Sequence, residues 1–282
     1  MLIYKTAQEL RAYLERTENA DKQVGFVPTM GALHQGHLNL ISRSVEENDI
    51  TVCSIFVNPT QFNNADDLEK YPRIPERDFE LLQSVGCDAV YYPDVNDIYP
   101  NGPVTREYPL GEIVEPMDGK FRPGHFQGVA TVVHILLDKV RPHRAYFGKK
   151  DYQQLLVIRR LVEAENLPVE IVGCPITRED DGLAMSSRNL RLDENQRRNA
   201  VSISKALFWI RENAMTYSVP TLIEKGREMI EKDTGLELEY LEIRHANTLT
   251  ELTEINPGTP SRAFTAAFCG DIRLIDNVSL FR

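Results

Sequence analysis

Cysteine is scarce in this sequence of 282 residues, and the few that occur lie far apart. The four positions are Cys53, Cys87, Cys174 and Cys269, and no two of them form a C-x-x-C pair. This spacing argues against the disulfide framework of a small secreted protein and against a cysteine cage for zinc. We therefore expect buried, reduced thiols and a cytoplasmic protein.

Long apolar runs are also missing. No stretch approaches the roughly 20 predominantly apolar residues that a membrane-spanning helix needs. Residues 1–16 carry charges throughout, which favours an amphipathic helix over a signal sequence. We therefore expect no membrane partner.

Basic residues are outnumbered, with 32 Lys and Arg against 42 Asp and Glu and a net charge of −10. A net negative charge repels the phosphate backbone of nucleic acids, so a nucleic-acid partner is not expected. The hydrophobic share of 42% and the charged share of 26% are typical of a soluble globular protein. These shares give no indication of disorder.

The order of the predicted elements indicates the fold class. Strands and helices alternate in the first part of the chain, with apolar strands at 25–27, 51–57, 89–92, 144–147 and 169–174 and helices at 7–17, 37–47, 76–85, 129–140 and 152–166. This alternation predicts an α/β fold with a Rossmann-like doubly wound parallel sheet over residues 1–176. Residues 93–124, rich in Pro, Gly and Asp, are expected to form a long ordered connection or a lid.

Residues 177–282 show a different pattern. A polar loop at 177–191 precedes two predicted helices, the first capped by Asp193 and ending near 214, the second at 220–232. Alternating residues at 239–243 and 262–268 then suggest antiparallel strands. We expect a smaller C-terminal α+β domain.

The clearest chemical pattern lies at residues 24–39, which read V-G-F-V-P-T-M-G-A-L-H-Q-G-H-L-N. An apolar strand is followed by a tight loop and then by a helix in which Leu38 and Ile41 recur at helical spacing. We expect the N–H groups of the first helical turn to stay unpaired, and with the helix dipole they favour anions. His34 and His37 share one face of that turn and can donate hydrogen bonds to neighbouring phosphate oxygens. The stretch therefore predicts a nucleotide triphosphate site.

Two other interpretations of the histidine pair stay open at this point. Histidines also occur at helix starts without any catalytic role. A zinc site would need the H-E-x-x-H spacing with its glutamate, or a nearby cysteine, and this stretch has neither. The strand, loop and helix around the pair favour phosphate binding.

Five short segments place polar groups at strand ends or in loops. They are His34/His37, Asn58/Gln61, Arg122/His125, Lys150/Asp151/Gln154 and Ser186/Ser187/Arg188. Each segment alone has an ordinary explanation; for instance, Asn58 can simply hold the turn before Pro59. Their combination indicates a functional site.

These segments also carry a family resemblance. The run P-T-M-G-A-L-H-Q-G-H-L resembles that of the pantothenate synthetase (pantoate–β-alanine ligase) family, as do F-V-N-P-T-Q-F, R-P-G-H-F-Q-G-V, F-G-K-K-D-Y-Q-Q and D-G-L-A-M-S-S-R-N. The family belongs to a nucleotidyltransferase superfamily with an H-x-G-H signature, and residues 34–37 match this signature. Residues 185–188 resemble the second signature, K-M-S-K-S, but Ala184 replaces its first lysine. Positive charge would then have to come from Lys150 and Arg188.

The resemblance implies an ATP-dependent ligation in two steps. Pantoate attacks ATP to give pantoyl adenylate and pyrophosphate, and the amine of β-alanine then displaces AMP to form pantothenate. Domain 1–176 would bind ATP and pantoate. Domain 177–282 would act as a lid, because a mixed anhydride must be sheltered from water. A homodimer is also what the family implies.

The resemblance further implies roles for individual residues. The catalytic set is His34, His37, Lys150, Ser186, Ser187 and Arg188. The pantoate-binding set is Gln61, Gln154, Met30 and Asn58. The ATP-binding set is Pro28, Thr29, Met30, Gly36, His37, Gly148, Lys150, Asp151, Met185, Ser186, Ser187 and Arg188. Arg122 and His125 are further candidates. Mg²⁺ would be held mainly by the phosphates, with Asp78 and Asp151 as candidate carboxylates.

Two other functions are compatible with the sequence. A nucleotidyltransferase of the same superfamily would move AMP or CMP onto a phosphorylated acceptor and stop there. An ATP-binding regulator would bind the nucleotide without turnover. Release of AMP only when an amine is supplied distinguishes the ligase from both.

Overall fold

The computed structural model describes residues 1–16, 18–62 and 65–281. The chain divides into two compact units. The amino-terminal unit comprises Met1–Lys149 and Gln153–Pro175, and the carboxy-terminal unit comprises Lys150–Tyr152 and Ile176–Arg282. The segment Lys150–Tyr152 therefore groups with the carboxy-terminal unit, although the sequence analysis placed it in domain 1–176.

A parallel sheet forms the centre of the amino-terminal unit. Its strands are β1 (Leu2–Tyr4), β2 (Val24–Thr29), β3 (Ile50–Ile55), β4 (Ala89–Tyr91), β5 (Arg144–Gly148) and β6 (Glu170–Cys174). Their spatial order is β1-β4-β3-β2-β5-β6, and every pair is parallel. The predicted fold class is confirmed.

Helices cover both faces of this sheet. They are α1 (Ala7–Leu14), α2 (Gln35–Glu47), α3 (Ala65–Glu69), α4 (Pro75–Ser84), α5 (Val95–Ile98), α6 (Asp118–Phe121), α7 (His125–Val140) and α8 (Tyr152–Ala164). Successive side chains of a strand point to opposite faces, so Phe26 packs in the apolar layer that includes residues of α1, α7 and α8. Its neighbour Val27 packs in the layer that includes residues of α2 and α4. Burial of both faces explains why the strands are almost uniformly apolar.

Helix α2 packs closely against β2 because residue 25 is glycine. A Cβ atom at Gly25 would lie 2.2 Å from Oγ of Ser44 and 2.5 Å from Nδ2 of Asn48. The Ser44 side chain is fully buried, and its hydroxyl lies 2.8 Å from that of Thr51. A larger residue at position 25 would push α2 away from the sheet, together with the loop that joins them.

The connection at 93–124 is more regular than predicted. It contains α5, α6 and a 3-10 helix at Gly111–Val114. The buried amide of Gln153 orders its end: Nε2 donates to the carbonyls of Ile113 and Pro116, both at 2.8 Å, and Oε1 accepts the N–H of Asp118 at 3.2 Å.

The carboxy-terminal unit is an antiparallel sheet with two helices. Its elements are α9 (Glu194–Asn213), α10 (Val219–Glu231), β7 (Leu236–His245), β8 (Ser261–Cys269) and β9 (Ile272–Ser279). Asp193 caps α9 as predicted, since its Oδ1 accepts the N–H groups of Asn195 and Gln196 at 2.8 and 2.9 Å. Leu207 and Ile210 of α9 belong to the same apolar cluster as Leu274 of β9.

Two strands and the end of one helix illustrate where the structure departs from the sequence expectations. Strand β1 was missed, since three residues are too few to show a pattern. Strand β9 was missed because Arg273, Asp276 and Asn277 interrupt its apolar residues. Helix α1 ends at Leu14, and the predicted end at Thr17 lies outside the described residues.

The four cysteines are free and buried. Burial raises the pKa of each thiol, that of Cys87 to about 12. Within the part of the chain that the structure describes, no helix is both long and apolar enough to span a membrane.

Candidate active site

The carboxyl ends of β2 and β5 mark the switch point of the parallel sheet. From β2 the chain continues to β3 and β4 on one side, whereas β5 and β6 lie on the other. Ligands of doubly wound folds bind beyond the carboxyl ends of strands at such a point. Residues 30–34 follow β2 there, and β5 ends there with Gly148.

Residues 30–34, called here the β2–α2 turn, contain two consecutive left-handed residues. The angle φ is +78° at Gly31 and +48° at Ala32. Thr29 fixes the start of the turn, because its Oγ1 donates to the carbonyl of Ser54 at 2.7 Å and accepts the N–H of Gly31 at 3.2 Å. Thr29, predicted to bind ATP, is thus a buried support of the turn.

His34 and His37 lie together at the start of α2. Their ring centroids are 4.1 Å apart with an angle of 38° between the planes. His34 is the N-cap residue, and its Nδ1 accepts the N–H of Gly36 at 3.1 Å. Nδ1 of His37 accepts the N–H of His34 at 3.4 Å, which completes a capping box made of two imidazoles.

This capping box changes which N–H groups at the start of α2 can meet an anion. The N–H of Gly36 was expected to be unpaired, but His34 accepts it. A neutral imidazole that accepts at Nδ1 carries its proton on Nε2. Both rings therefore have one N–H donor each at the positive end of the α2 dipole, so the imidazoles add to the attraction for an anion.

Gln61 and Asn58 differ in what their amides can do. Asn58 is 1% exposed; its Oδ1 accepts from the hydroxyls of Tyr99 and Thr60 at 2.7 and 3.1 Å, and its Nδ2 donates to Oε1 of Gln61 at 3.1 Å. These bonds give Asn58 a structural role, and its predicted contact with substrate stays a prediction. Gln61 is partly exposed, and its Nε2 lies 2.9 Å from Sδ of Met30.

Arg122 and His125 hold the turn that carries Gln61. The carbonyl of Gln61 accepts from Nη2 of Arg122 at 3.2 Å and from Nδ1 of His125 at 2.9 Å. Nη1 of Arg122 lies 3.1 Å from Nε2 of His125. Gly128 allows the close approach of α7, since a Cβ atom there would lie 2.4 Å from the carbonyl oxygen of Thr60.

Lys150 and Asp151 belong to the carboxy-terminal unit. The side chain of Lys150 is 18% exposed, and its Nζ lies 3.7 Å from Oδ1 of Asp151. Its carbonyl accepts a hydrogen bond from Nδ2 of Asn277 at 2.8 Å. Nearby, the guanidinium of Arg262 lies 4.1 Å from the ring centre of Tyr152. Residues of β8 and β9 thus contact both ends of the segment Lys150–Tyr152.

Residues 184–188, which read A-M-S-S-R, are also more ordered than a polar loop. Ala184 pairs with Arg178 in an isolated β-bridge, and Ser186 caps a 3-10 helix at Ser187–Arg191 by accepting the N–H of Arg188 at 3.3 Å. The side chain of Ser187 is buried. Ala184 is 4% exposed, so a lysine at this position would have to bury its charge.

The remaining predicted residues lie in regular elements or in loop hydrogen bonds. Gln154 is partly exposed on α8, Gly36 lies in the first turn of α2, Pro28 is in β2, and Met185 donates its N–H to the carbonyl of Thr177 at 3.0 Å. The shared role of Gln154 and Gln61 in binding pantoate stays a prediction.

The candidate metal ligands have different surroundings. Among the described residues, no three His, Cys, Asp or Glu side chains form a cluster that could hold a metal ion. Asp78 is 1% exposed, and its two oxygens accept the N–H groups of Leu33 and Ala32 at 2.7 and 2.8 Å. These bonds give Asp78 a structural role in the turn, and its role as a metal ligand stays a prediction. Asp151 is 46% exposed and stays a candidate.

Sequence reasoning named Asp78 only as a candidate carboxylate for Mg²⁺ and did not reveal its bonds to the β2–α2 turn. Asp78 lies in the first turn of α4, where an acidic residue is expected to complement the helix dipole, so nothing in the sequence links it to 30–34. Arg178 and Asp276 form an ion pair at 2.7 Å, and the sequence analysis singled out neither residue. Such partnerships join residues far apart in the chain and leave no local pattern.

Comparisons with known proteins agree with these features. The family model for pantoate-β-alanine ligase matches residues 2–279. A pantothenate synthetase from Bacteroides fragilis is 47% identical over 278 residues, which covers 99% of this chain and 98% of the relative. A pantothenate synthetase from Porphyromonas gingivalis is 45% identical over 278 residues, with 99% of both chains covered.

Solved structures show the same similarity. The crystal structure of pantothenate synthetase from Thermus thermophilus has a TM-score of 0.93 and 45% identity, with both chains fully covered at 100%. A pantoate-β-alanine ligase from Francisella tularensis, crystallised with β-γ ATP and β-alanine, has a TM-score of 0.83 and 36% identity over 99% of this chain and 98% of that one. The chain described here therefore belongs to the pantoate-β-alanine ligase family.

Proposed function

We propose that this protein joins pantoate to β-alanine in an ATP-dependent reaction that passes through pantoyl adenylate and releases pyrophosphate and AMP. Family membership supports the reaction class. The observation that carries the proposal is the pair of imidazoles at the positive end of α2, beside the switch point of the sheet. Such an arrangement suits a polyphosphate.

In the first step a carboxylate oxygen of pantoate attacks the α-phosphorus of ATP. A new P–O bond forms, the bond to pyrophosphate breaks, and negative charge increases on the phosphoryl oxygens. Fixed donors must stabilise this charge. We propose that the Nε2–H groups of His34 and His37 serve as such donors. As the family resemblance implies, we also propose Lys150, Ser186, Ser187 and Arg188 as donors.

In the second step the amine of β-alanine attacks the acyl carbon of the adenylate. The C–N bond forms, the bond to the AMP oxygen breaks, and the amine nitrogen loses a proton. Neither step needs a nucleophile from the protein, because the substrates supply both. The cysteines agree with this, since buried thiols whose pKa is raised are poor nucleophiles at neutral pH.

We propose that Gln61 contacts pantoate. A primary amide offers one donor group and one acceptor, which suits an acid that carries hydroxyl groups. Asn58 fixes Oε1 of Gln61, and Met30 lies against its Nε2, so the amide has a defined orientation before substrate binds. A group held in this way loses little entropy on binding.

Replacing Gln61 by Ala is expected to raise the KM for pantoate by about 10- to 100-fold, the cost of leaving one or two substrate groups without partners. The KM for ATP should change far less. Gln61→Met, which removes the polar groups but keeps the volume, should behave alike. Gln83→Ala, on an exposed position of α4, serves as the control. Steady-state kinetics with each substrate varied measures both constants, and equal changes in the two would contradict the contact with pantoate.

Magnesium is proposed as a companion of ATP. The described residues fit an ion held mainly by phosphate oxygens, because they include no dedicated cluster of ligands and Asp151 offers one partly exposed carboxylate. When bound, the ion would neutralise part of the phosphate charge. The oxygens of Asp78 each accept a backbone N–H already, so we favour Asp151 for this role.

The proposed reaction is tested by omitting each component in turn. Pyrophosphate release should require ATP, magnesium and pantoate, and AMP release should also require β-alanine. A stable nucleotidyl product without AMP release would indicate the nucleotidyltransferase alternative. Nucleotide binding without pyrophosphate release would indicate a regulator.

Assembly and location remain proposals. We propose a homodimer, as the family resemblance implies, and sedimentation analysis of the purified chain tests it. We propose a cytoplasmic location because the four cysteines are buried and free, as expected in a reducing compartment.

A further inference from the structure

The carboxylate of Asp78 is buried in an unusual place. It lies in the first turn of α4 and is 1% exposed, yet among the described residues no cation bonds to its oxygens. Instead Oδ2 accepts the N–H of Ala32 at 2.8 Å and Oδ1 accepts that of Leu33 at 2.7 Å. Burying a carboxylate is costly unless it is well hydrogen-bonded, so these two bonds are what make its position tolerable.

The β2–α2 turn has the shape that binds an anion. Successive N–H groups converge where the backbone adopts left-handed conformations, and φ is positive at both Gly31 and Ala32. A Cβ atom at Gly31 would lie 3.0 Å from Oδ2 of Asp78. The carboxylate therefore occupies the concave side of the turn, and the turn closes around it.

The clamped residues lead directly into the histidine pair. Leu33 is 2% exposed and precedes His34, the N-cap of α2. A displacement of Ala32 and Leu33 would thus move the ring of His34, and with it the capping box that orients His37. The position of both imidazoles depends on a side chain that is 44 residues away from His34 in the chain.

We propose that Asp78 is a positioning residue for adenylate formation, which acts by holding the β2–α2 turn so that His34 and His37 meet the phosphates of ATP. This inference rests on the proposed function of the two histidines. Asp78 itself does not touch substrate. A displacement of about 1 Å at reacting groups can lower a rate by about 100-fold, so the effect on catalysis should exceed the effect on folding.

The test uses Asp78→Asn, which keeps the volume but replaces one acceptor oxygen by an amide nitrogen. We expect pantoate-dependent exchange of pyrophosphate into ATP to fall by about 100-fold, mainly in kcat, while far-UV circular dichroism stays unchanged. Asp88→Asn is the matched control. Asp88 also accepts a backbone N–H, that of Thr51 at 2.8 Å, but at the amino end of β3, so its replacement should leave the exchange rate within about 3-fold.

A double-mutant cycle separates positioning from simple stabilisation. In a chain that already carries His34→Asn and His37→Gln, the added Asp78→Asn should lower exchange by less than about 3-fold, because a residue that acts through the histidines has nothing left to position. If Asp78→Asn does not fold, Gly31→Ala replaces it, because alanine strains the same turn at a residue with positive φ. Gly31→Ala should cause the same loss of exchange, and this loss should likewise not add to that of the histidine variants.

Each outcome is informative. Normal exchange in Asp78→Asn, or the full loss repeated in the histidine-free background, overturns the positioning role of Asp78. Exchange that survives replacement of both histidines overturns the proposed function of the pair, and the inference about Asp78 with it. A large loss in the wild-type background that vanishes without the histidines supports both.

Discussion

Replacement of His37 by glutamine is expected to slow pantoate-dependent exchange of pyrophosphate into ATP by about 10²–10³-fold, the usual loss when one preorganised donor to a developing negative charge is removed. His34→Asn should cause a loss of the same order. The exchange assay reports adenylate formation alone, so it is independent of β-alanine. Both rings contribute because each carries its proton on Nε2 while Nδ1 accepts a backbone N–H.

The choice of these two variants removes a structural complication. His34 is the N-cap of α2, and losing an N-cap costs about 0.5–2 kcal/mol of stability. Asparagine is a good N-cap residue, and glutamine at the third helical position retains the capping box. His34→Asn and His37→Gln should therefore unfold close to the wild type in urea, whereas His34→Ala should lose both stability and exchange.

Three results decide the role of the pair. Loss of exchange in the variants that retain the caps, with normal unfolding, assigns the loss to the imidazoles. Loss of exchange only in His34→Ala would assign it to the helix cap. Normal exchange in all variants would return the histidines to the ordinary helix-start role that the sequence left open.

The sequence contains enough to predict most of the architecture. The alternation of apolar strands with helices is a local signal that repeats along the chain, and it indicated the doubly wound sheet. The strand, turn and helix at 24–39 were predicted for the same reason, although α2 begins at Gln35, two residues before the predicted start at 37. Two strands were missed. Strand β1 is too short to show a pattern, and strand β9 is interrupted by polar residues.

The candidate site was predicted less completely than the fold. The motifs identified which segments matter, but they did not separate residues that face a ligand from residues that hold the segment in place. Asn58 and Thr29 are examples, since each proved to be a buried hydrogen-bonding support. The distinction depends on partners such as Tyr99 and Ser54, which lie 41 and 25 residues away in the chain.

The environment of Lys150 explains why a single lysine at this position can matter. Its side chain is mostly enclosed, and its ion pair with Asp151 is long, at 3.7 Å, so its charge is weakly compensated by that partner. Its backbone is held by the hydrogen bond from Asn277, within the same unit. The K-M-S-K-S-like segment lacks its first lysine, and Ala184 at that position is buried. Lys150, together with Arg188, is therefore a candidate to supply the charge that the superfamily's second signature carries.

Replacing Lys150 by Ala is expected to slow adenylate formation by about 10²–10³-fold, because the transition state of the first step places charge on phosphoryl oxygens that a fixed cation stabilises. Rapid-quench measurement of a single turnover with ATP and pantoate gives the rate directly, without product release. Lys149→Ala is the matched control, since it removes the same charge one residue earlier and should change the rate by less than about 3-fold. An unchanged single-turnover rate in Lys150→Ala, with the fold intact, would reduce Lys150 to a surface charge and require Arg188 to stabilise the phosphates without it.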